Sequence, residues 1–365
     1  MFCRLNRFVP LRVAGILLAL LAAGAAGGKA QSGAMPQRNV PPLSLSPVIL
    51  AERPEAVQGY NVDAQQVRQM LNRALLILTS APDIGTAWTR LGITPGDIVG
   101  IKITTAGGPA FCTHHALVEA ICDGLQAAGV PRAHMIIWDK FQDKMASAGY
   151  VPRAATDQQA AVASIVPNNY DPAVFYRVGI LGNLIWGDSQ FNQSIGSDDF
   201  DSDRAETRSY YTKFVTQTCT KLINVPVLSY NELYGIDGCL SSLAFGCTDN
   251  NRRFQGAPSY GDPAIDEILD QDFIRHKVVV HILDALVAQC AGGPAFNPQF
   301  CQSFGALYVG RDPVAIDSLA LPRLEKMRSQ MNVPSIGNTS SYVRSAAVLG
   351  LGTTDRRRIQ FLRAP

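Results

Sequence analysis

None of the eight cysteines lies in a CxxC pair, so the usual ligand sets of a zinc ribbon or an iron–sulfur cluster are missing. There is no GxSxG, no P-loop and no HExxH, and the glycine-rich loops lack the GxGxxG spacing of dinucleotide sites. Charge is sparse: Asp, Glu, Lys and Arg make up 17% of the residues. They form no basic tract of the kind that meets nucleic acid. No repeat of fixed period occurs, and no apolar run reaches the ~20 residues that a membrane-spanning helix needs. What is left is a globular chain, 47% hydrophobic, with ample material for a large core.

The first 30 residues read as an export signal and not as part of the fold. Arg4, Arg7 and Arg12 form a positive n-region, Val13–Ala26 is an apolar h-region, and Gly28-Lys29-Ala30 supplies small residues for cleavage after Ala30. A periplasmic or extracellular protein is expected, with no transmembrane segment once the signal is cut. Cleavage removes four basic residues and no acid, taking 32 basic against 30 acidic residues to 28 against 30. Nucleic acid is therefore not an expected partner.

Seven cysteines remain, and in an oxidising compartment disulfides are the default. The odd number leaves at least one thiol free. Cys122 is the candidate, because it shares an apolar helix face with Val118, Ile121 and Leu125. Cys290 with Cys301, enclosing Gly292-Gly293-Pro294, is the first candidate pair, and Cys239 with Cys247 the second.

Residues 31–58 are rich in Pro, Ser and small side chains and are expected to form a leader with little structure of its own. Residues 59–365 read as an α/β domain. Asp63 caps an amphipathic helix to about Ser80. The β-branched run Ile98–Thr104 suits a buried parallel strand. A helix from about His115 ends at the C′ glycine Gly129, and Met135–Trp138 is the next strand. Residues 150–211 are weakly patterned and predict a small central insertion, antiparallel or irregular. Within it, Asp199-x-Asp201-x-Asp203 has partial calcium-loop spacing but lacks the following glycine and the acid at position twelve, and reads as a solvated loop. Regular sequence resumes with strands at Cys219–Val227, at Lys277–Leu283, which ends at Asp284, and at Phe304–Val309. Asp312-Pro313 opens a long helix to about Gln330. The alternation predicts a mostly parallel sheet flanked by helices.

Five segments occur in an order that resembles a known family: Val99–Thr105 (VGIKITT), Cys112–Asp139, Leu222–Leu228 (LINVPVL), Asp284–Asp317 with GGP and VGRDPVAID, and the tail YVRSAAVLGLG. The chain resembles the family catalogued as domain of unknown function 362, over a core of about 97–351. The resemblance implies no particular activity. Some members carry ferredoxin-like cysteine clusters, which this chain lacks. After the Asn-Val-Pro strand, members usually show a lysine, a histidine two residues on, and a further lysine–asparagine pair. The corresponding positions here are Ser229, Asn231 and Ser241-Ser242, so any chemistry those groups carry in relatives is altered in this chain.

Ligands in open α/β sheets bind at the C-terminal ends of the strands, which selects the candidate residues. Lys102 is a charge inside an apolar strand, expensive unless it is paired or faces a cleft. Thr113 and His114 stand at a helix start, where exposed N–H groups favour an anion. Asp139 and Asp284 follow strands; Asp312 and Asp317 open the long helix, where capping is the alternative role. His276 and His281 read as structural. The expected site takes an anionic small molecule at Lys102 and the Thr113 helix start, with Asp284 and Asp317 as polar or metal-facing partners. The other reading is a non-enzymatic envelope binding or interaction protein on the same scaffold. No reaction and no cofactor follow from these residues.

Overall fold

The computed structural model describes residues 44–182 and 207–365. The expected export signal and the Asp199–Asp203 loop lie outside the described residues. The strands are β1 (Ser46–Glu52), β2 (Val57–Gln58), β3 (Asn61–Val62), β4 (Val99–Ile103), β5 (Met135–Asp139), β6 (Ala161–Ser164) and β7 (Tyr170–Arg177). They continue with β8 (Arg208–Thr212), β9 (Lys221–Val225), β10 (Val227–Asn231), β11 (Gly235–Asp237), β12 (Val278–Gly293), β13 (Cys301–Gly310) and β14 (Ile359–Ala364). β2 with β3 and β7 with β8 make two small antiparallel ribbons. The others form one sheet in the order β14-β1-β13-β12-β9-β4-β5-β6, with β10 and β11 beside the far half of β12. Along that path only β13 runs against its neighbours.

The helices are α1 (Ala64–Thr79), α2 (Ile84–Arg90), α3 (His115–Ala127), α4 (Gln142–Ser147), α5 (Cys239–Cys247), α6 (Ala264–Leu269), α7 (Asp272–Arg275), α8 (Pro313–Gln330) and α9 (Tyr342–Val348). They cover both faces of the sheet, which explains why its strands are apolar on both sides. In β4, Val99, Ile101 and Ile103 pack into the core under α1–α3. The period of two then turns Gly100 and Lys102 to the opposite face, where α5, α6, α8 and α9 pack.

Three expectations are corrected. The leader is not unstructured throughout: β1 begins at Ser46 and pairs on both edges, with β13 and β14. Its Val48-Ile49-Leu50-Ala51 run is buried, short enough to escape notice among prolines and serines. The central insertion is antiparallel only in part: β7 pairs with β8 in that way, but β6 is a regular strand that joins the main sheet parallel to β5. Finally, β12 does not stop before Asp284 but continues to Gly293, across register shifts on the β10 and β13 sides.

Neither candidate disulfide forms; all seven described cysteines are free thiols. Cys301 stands opposite Gln289 in the β12–β13 ladder, so Cys290, one residue on, points to the other face. The Cys301 thiol accordingly meets Gln289 Oε1 at 3.4 Å, while that of Cys290 meets Met331 Sδ at 3.6 Å. Cys239 and Cys247 open and close α5, about 12 Å apart at helical rise, well beyond disulfide reach.

Candidate functional site

A cleft of about 380 Å³ opens where β4, β5, β10, β11 and β12 end. Lys102, Thr104, Asp139, Lys140, Asn231, Tyr234, Asp237, Ser241 and Ser242 line it, with Arg252 also contributing. Each enters for a local reason. Lys102 is the side chain that alternation in β4 sends toward α5. Asp139, Asn231 and Asp237 are the last residues of their strands, and Ser241-Ser242 lie in the first turn of α5.

Lys102 is only 3% exposed. Its ammonium donates to Ser242 Oγ at 2.9 Å and lies 3.4 Å from Asp139 Oδ1. The other Asp139 oxygen accepts the Thr105 N–H at 2.8 Å and its hydroxyl at 2.6 Å. Thr104 Oγ1 is 2.9 Å from Ser242 Oγ, extending a run of hydroxyls along the wall. Lys140, also buried, donates to the Thr248 carbonyl at 2.7 Å at the last turn of α5. Ser241 Oγ donates to Asp237 Oδ1 at 3.1 Å. Burial pushes the Asp237 carboxyl up to about 6, against the pull of the Lys102 ammonium and the hydroxyls of Ser241 and Tyr234. The cleft thus combines cations, hydroxyl donors and an acid that titrates near neutrality.

The other candidates do not line this cleft. Asp284 is fully buried; its Oδ2 accepts the His114 backbone N–H at 3.0 Å and stands 2.8 Å from His114 Nδ1, and its Oδ1 accepts Leu286 N–H. The anion expected at the α3 start is therefore one the chain supplies itself. Burial disfavours the His114 imidazolium, but the charge and hydrogen bond of Asp284 outweigh it and raise its pKa. Thr113 is not the cap of α3, which is His114. Its hydroxyl instead donates to the Val225 carbonyl at 2.7 Å and accepts the Thr104 N–H at 2.9 Å, tying β4 to β9.

Asp312 caps α8 by accepting Ala315 N–H and also takes Thr353 N–H. Asp317 accepts the N–H groups of Cys239 and Leu240 at 2.7 and 3.0 Å, serving the start of α5. Burial pushes its carboxyl up to about 7 despite those donors. Among the described residues no group of three or more His, Cys, Asp and Glu is placed to hold a metal ion, and Asp284 and Asp317 are already taken up by internal donors. His281 is structural, as read: burial lowers its pKa to about 3, and Nδ1 stands 3.1 Å from the Asn224 amide.

Asp237, Tyr234 and Lys140 were missed. The signal available for Asp237 was its setting, YGIDG, an acid between glycines in a segment without periodicity. The positions that differ from the family pattern prove informative: Asn231, Ser241 and Ser242 all face the cleft that holds Lys102.

No curated protein matches the sequence. Two solved structures are similar in fold trace. One is a protein from Thermotoga maritima solved as a Northeast Structural Genomics Consortium target, at TM-score 0.39 and 10% identity, covering 76% of this chain and 60% of its own. The other is the lactate racemase apoprotein from Thermoanaerobacterium thermosaccharolyticum, at TM-score 0.36 and 10% identity, covering 74% of this chain and 55% of its own. This chain therefore spans less than two thirds of either. Residues 203–322, from the end of the acidic stretch into α8, match the family model described as domain of unknown function (DUF362), the family that the order of motifs resembles.

Proposed function

We propose that this protein is exported, and that its cleft at the C-terminal ends of the strands binds a small anionic molecule with Lys102 as the charge partner. The observation that carries the reading is a buried ammonium on a cavity wall. Burying a charge is costly unless it is paired, and Lys102 has one hydroxyl at 2.9 Å and one carboxylate at the longer distance of 3.4 Å. Asp139 is better served by Thr105 than by the lysine, which leaves the ammonium with capacity for a ligand. Lys140 and Arg252 add positive charge to the same lining.

Lys102→Met keeps the length of the stem and removes the charge, while Asp139 retains its Thr105 donors. The variant is expected to melt close to wild type and to lose the ligand. Native mass spectrometry of the mature protein checks this: a small anion retained by wild type and absent from Lys102→Met supports the site. Retention of the same species by both proteins overturns it. The mature mass in that spectrum also tests export, which predicts an N-terminus at Gln31.

A second reading, binding without turnover, is favoured by one observation. Asn231 and Ser241-Ser242 stand in the cleft at the positions where the resembling family carries histidine, lysine and asparagine. A site that keeps its buried cation but exchanges basic groups for neutral ones holds an anion more readily than it transforms one.

A further inference from the structure

Resting on the anion reading above, we propose that Asp237 makes the cleft take up its anion together with one proton, so that the ligand is a fully ionised oxyanion held against a neutral carboxyl.

The geometry places Asp237 at the end of β11, 7% exposed and on the same cavity wall as Lys102. The groups around it come from every neighbouring element. Lys102 approaches from β4, and Asp139 with Lys140 from the end of β5. Tyr234 precedes it on its own segment, Ser241 donates to it from α5, the charge of Asp237 is felt by Asp317 on α8 and Tyr342 on α9, and Arg252 completes the lining. Among these, the Lys102 ammonium is the charge that stabilises the ionised form of Asp237, while Asp139 opposes it.

With no anion bound, Asp237 titrates near the middle of the accessible range, at about 6. An anion lodged at Lys102 brings a further negative charge beside Asp237 and takes over part of the ammonium's attraction. Both effects favour the protonated carboxyl. Binding and protonation are then reciprocal: the anion raises the proton affinity, and a proton raises the anion affinity by the same factor. Because the neutral form of Asp237 is the binding form, affinity rises as pH falls. The proton also changes the contact. An ionised carboxylate only accepts hydrogen bonds, whereas a carboxylic acid can donate one to the oxyanion. Asp237 thereby acts as the specificity-determining group: it favours acceptor-rich anions and disfavours ligands that present a donor at this wall.

Isothermal titration calorimetry of the mature full chain with oxalate and with sulfate, both ionised above about pH 5.5, tests this directly. Wild type is expected to bind oxalate roughly tenfold more tightly at about pH 6 than at about pH 8. Titrations at about pH 7 in two buffers of different ionisation enthalpy should register net proton uptake, a readout that needs no variant. Asp237→Asn is expected to bind at both pH values with the tighter affinity and without proton uptake. If wild type binds with no proton uptake, or if Asp237→Asn keeps the wild-type pH dependence, Asp237 is not the coupled group and the proposal fails while anion binding stands. If neither anion binds wild type at either pH, or if Lys102→Met binds both as tightly as wild type does, the anion reading itself fails, and this proposal with it.

Discussion

Aspartates account for most of the difference between the expected and the observed site. Asp284, Asp312 and Asp317 all satisfy backbone donors at the ends of elements, a use worth about 0.5–2 kcal/mol for each cap. Asp266 behaves differently. It is fully buried, and neither carboxyl oxygen has a hydrogen-bond partner among the described residues. Burial, with Asp262 and Glu267 adding to it, pushes its carboxyl up to about 8. The folded-state value lies above the ordinary one, so the contribution to stability is fully present below about pH 4 and is lost as pH rises through about 8. Thermal melts across this range should show Asp266→Asn within about 1 kcal/mol of wild type near pH 4, and increasingly more stable than wild type, by about 1.4 kcal/mol per pH unit, as pH rises toward 8. A difference that does not change with pH would mean that Asp266 is already ionised when folded. Asp237 and Asp317 titrate lower, so the alkaline part of the profile isolates Asp266.

At the scale of the element, α5 ties the molecule's two halves of chemistry together. Its start is held by Asp317, and Gly238 permits that approach, since a Cβ there would lie 2.4 Å from Asp317 Oδ1. Its last turn faces β4, where a Cβ on Gly246 would come within 2.4 Å of Lys102 Cε and 3.0 Å of Nζ. The lysine stem lies in the groove that glycine leaves. Because the colliding atoms belong to the flexible end of a side chain, Gly246→Ala should fold, with the ammonium displaced from Ser242. We expect it to weaken oxalate binding by about 1.5–3 kcal/mol, the scale of a hydrogen bond to a charged group. It should change little when added to Lys102→Met. Equal losses in both backgrounds would place the effect in α5 itself and not in the lysine.

Across the whole molecule, β1 carries more than its place in the sequence suggests. It fills the gap between β13 and β14, and Val48, Ile49, Leu50 and Ala51 are each at most 3% exposed. Burying the three larger side chains contributes on the order of 5 kcal/mol, comparable with the entire stability of many domains. A chain begun at Arg53 is therefore expected to be insoluble or molten, and one begun at Ser44, which keeps β1, to melt cooperatively. Circular dichroism melts of the two chains decide it. A cooperative, undiminished transition in the shorter chain would show that β14 can pair with β13 unaided.

Much of the fold was legible because it depends on local pattern. Apolar runs such as Val99–Ile103 marked buried strands, the stripe on α1 and the caps Asp63 and Asp312 marked helices, and one charged residue in an apolar strand marked Lys102. These follow from the periods of strand and helix and from the cost of burying charge. Which groups meet across the sheet is not a local property. Asp237 reaches the cleft through the β10–β11 pairing and the placement of α5, while Asp284 and Asp317, equally eligible by position, are claimed by N–H groups of His114, Leu286, Cys239 and Leu240. The ladder register likewise put Cys290 and Cys301 on opposite faces. The sequence by itself determined the alternation of elements and the one costly lysine. The tertiary structure alone decided which carboxylates faced Lys102, because whether a backbone donor or the lysine stands beside a given carboxylate depends on packing across the sheet and not on neighbours along the chain.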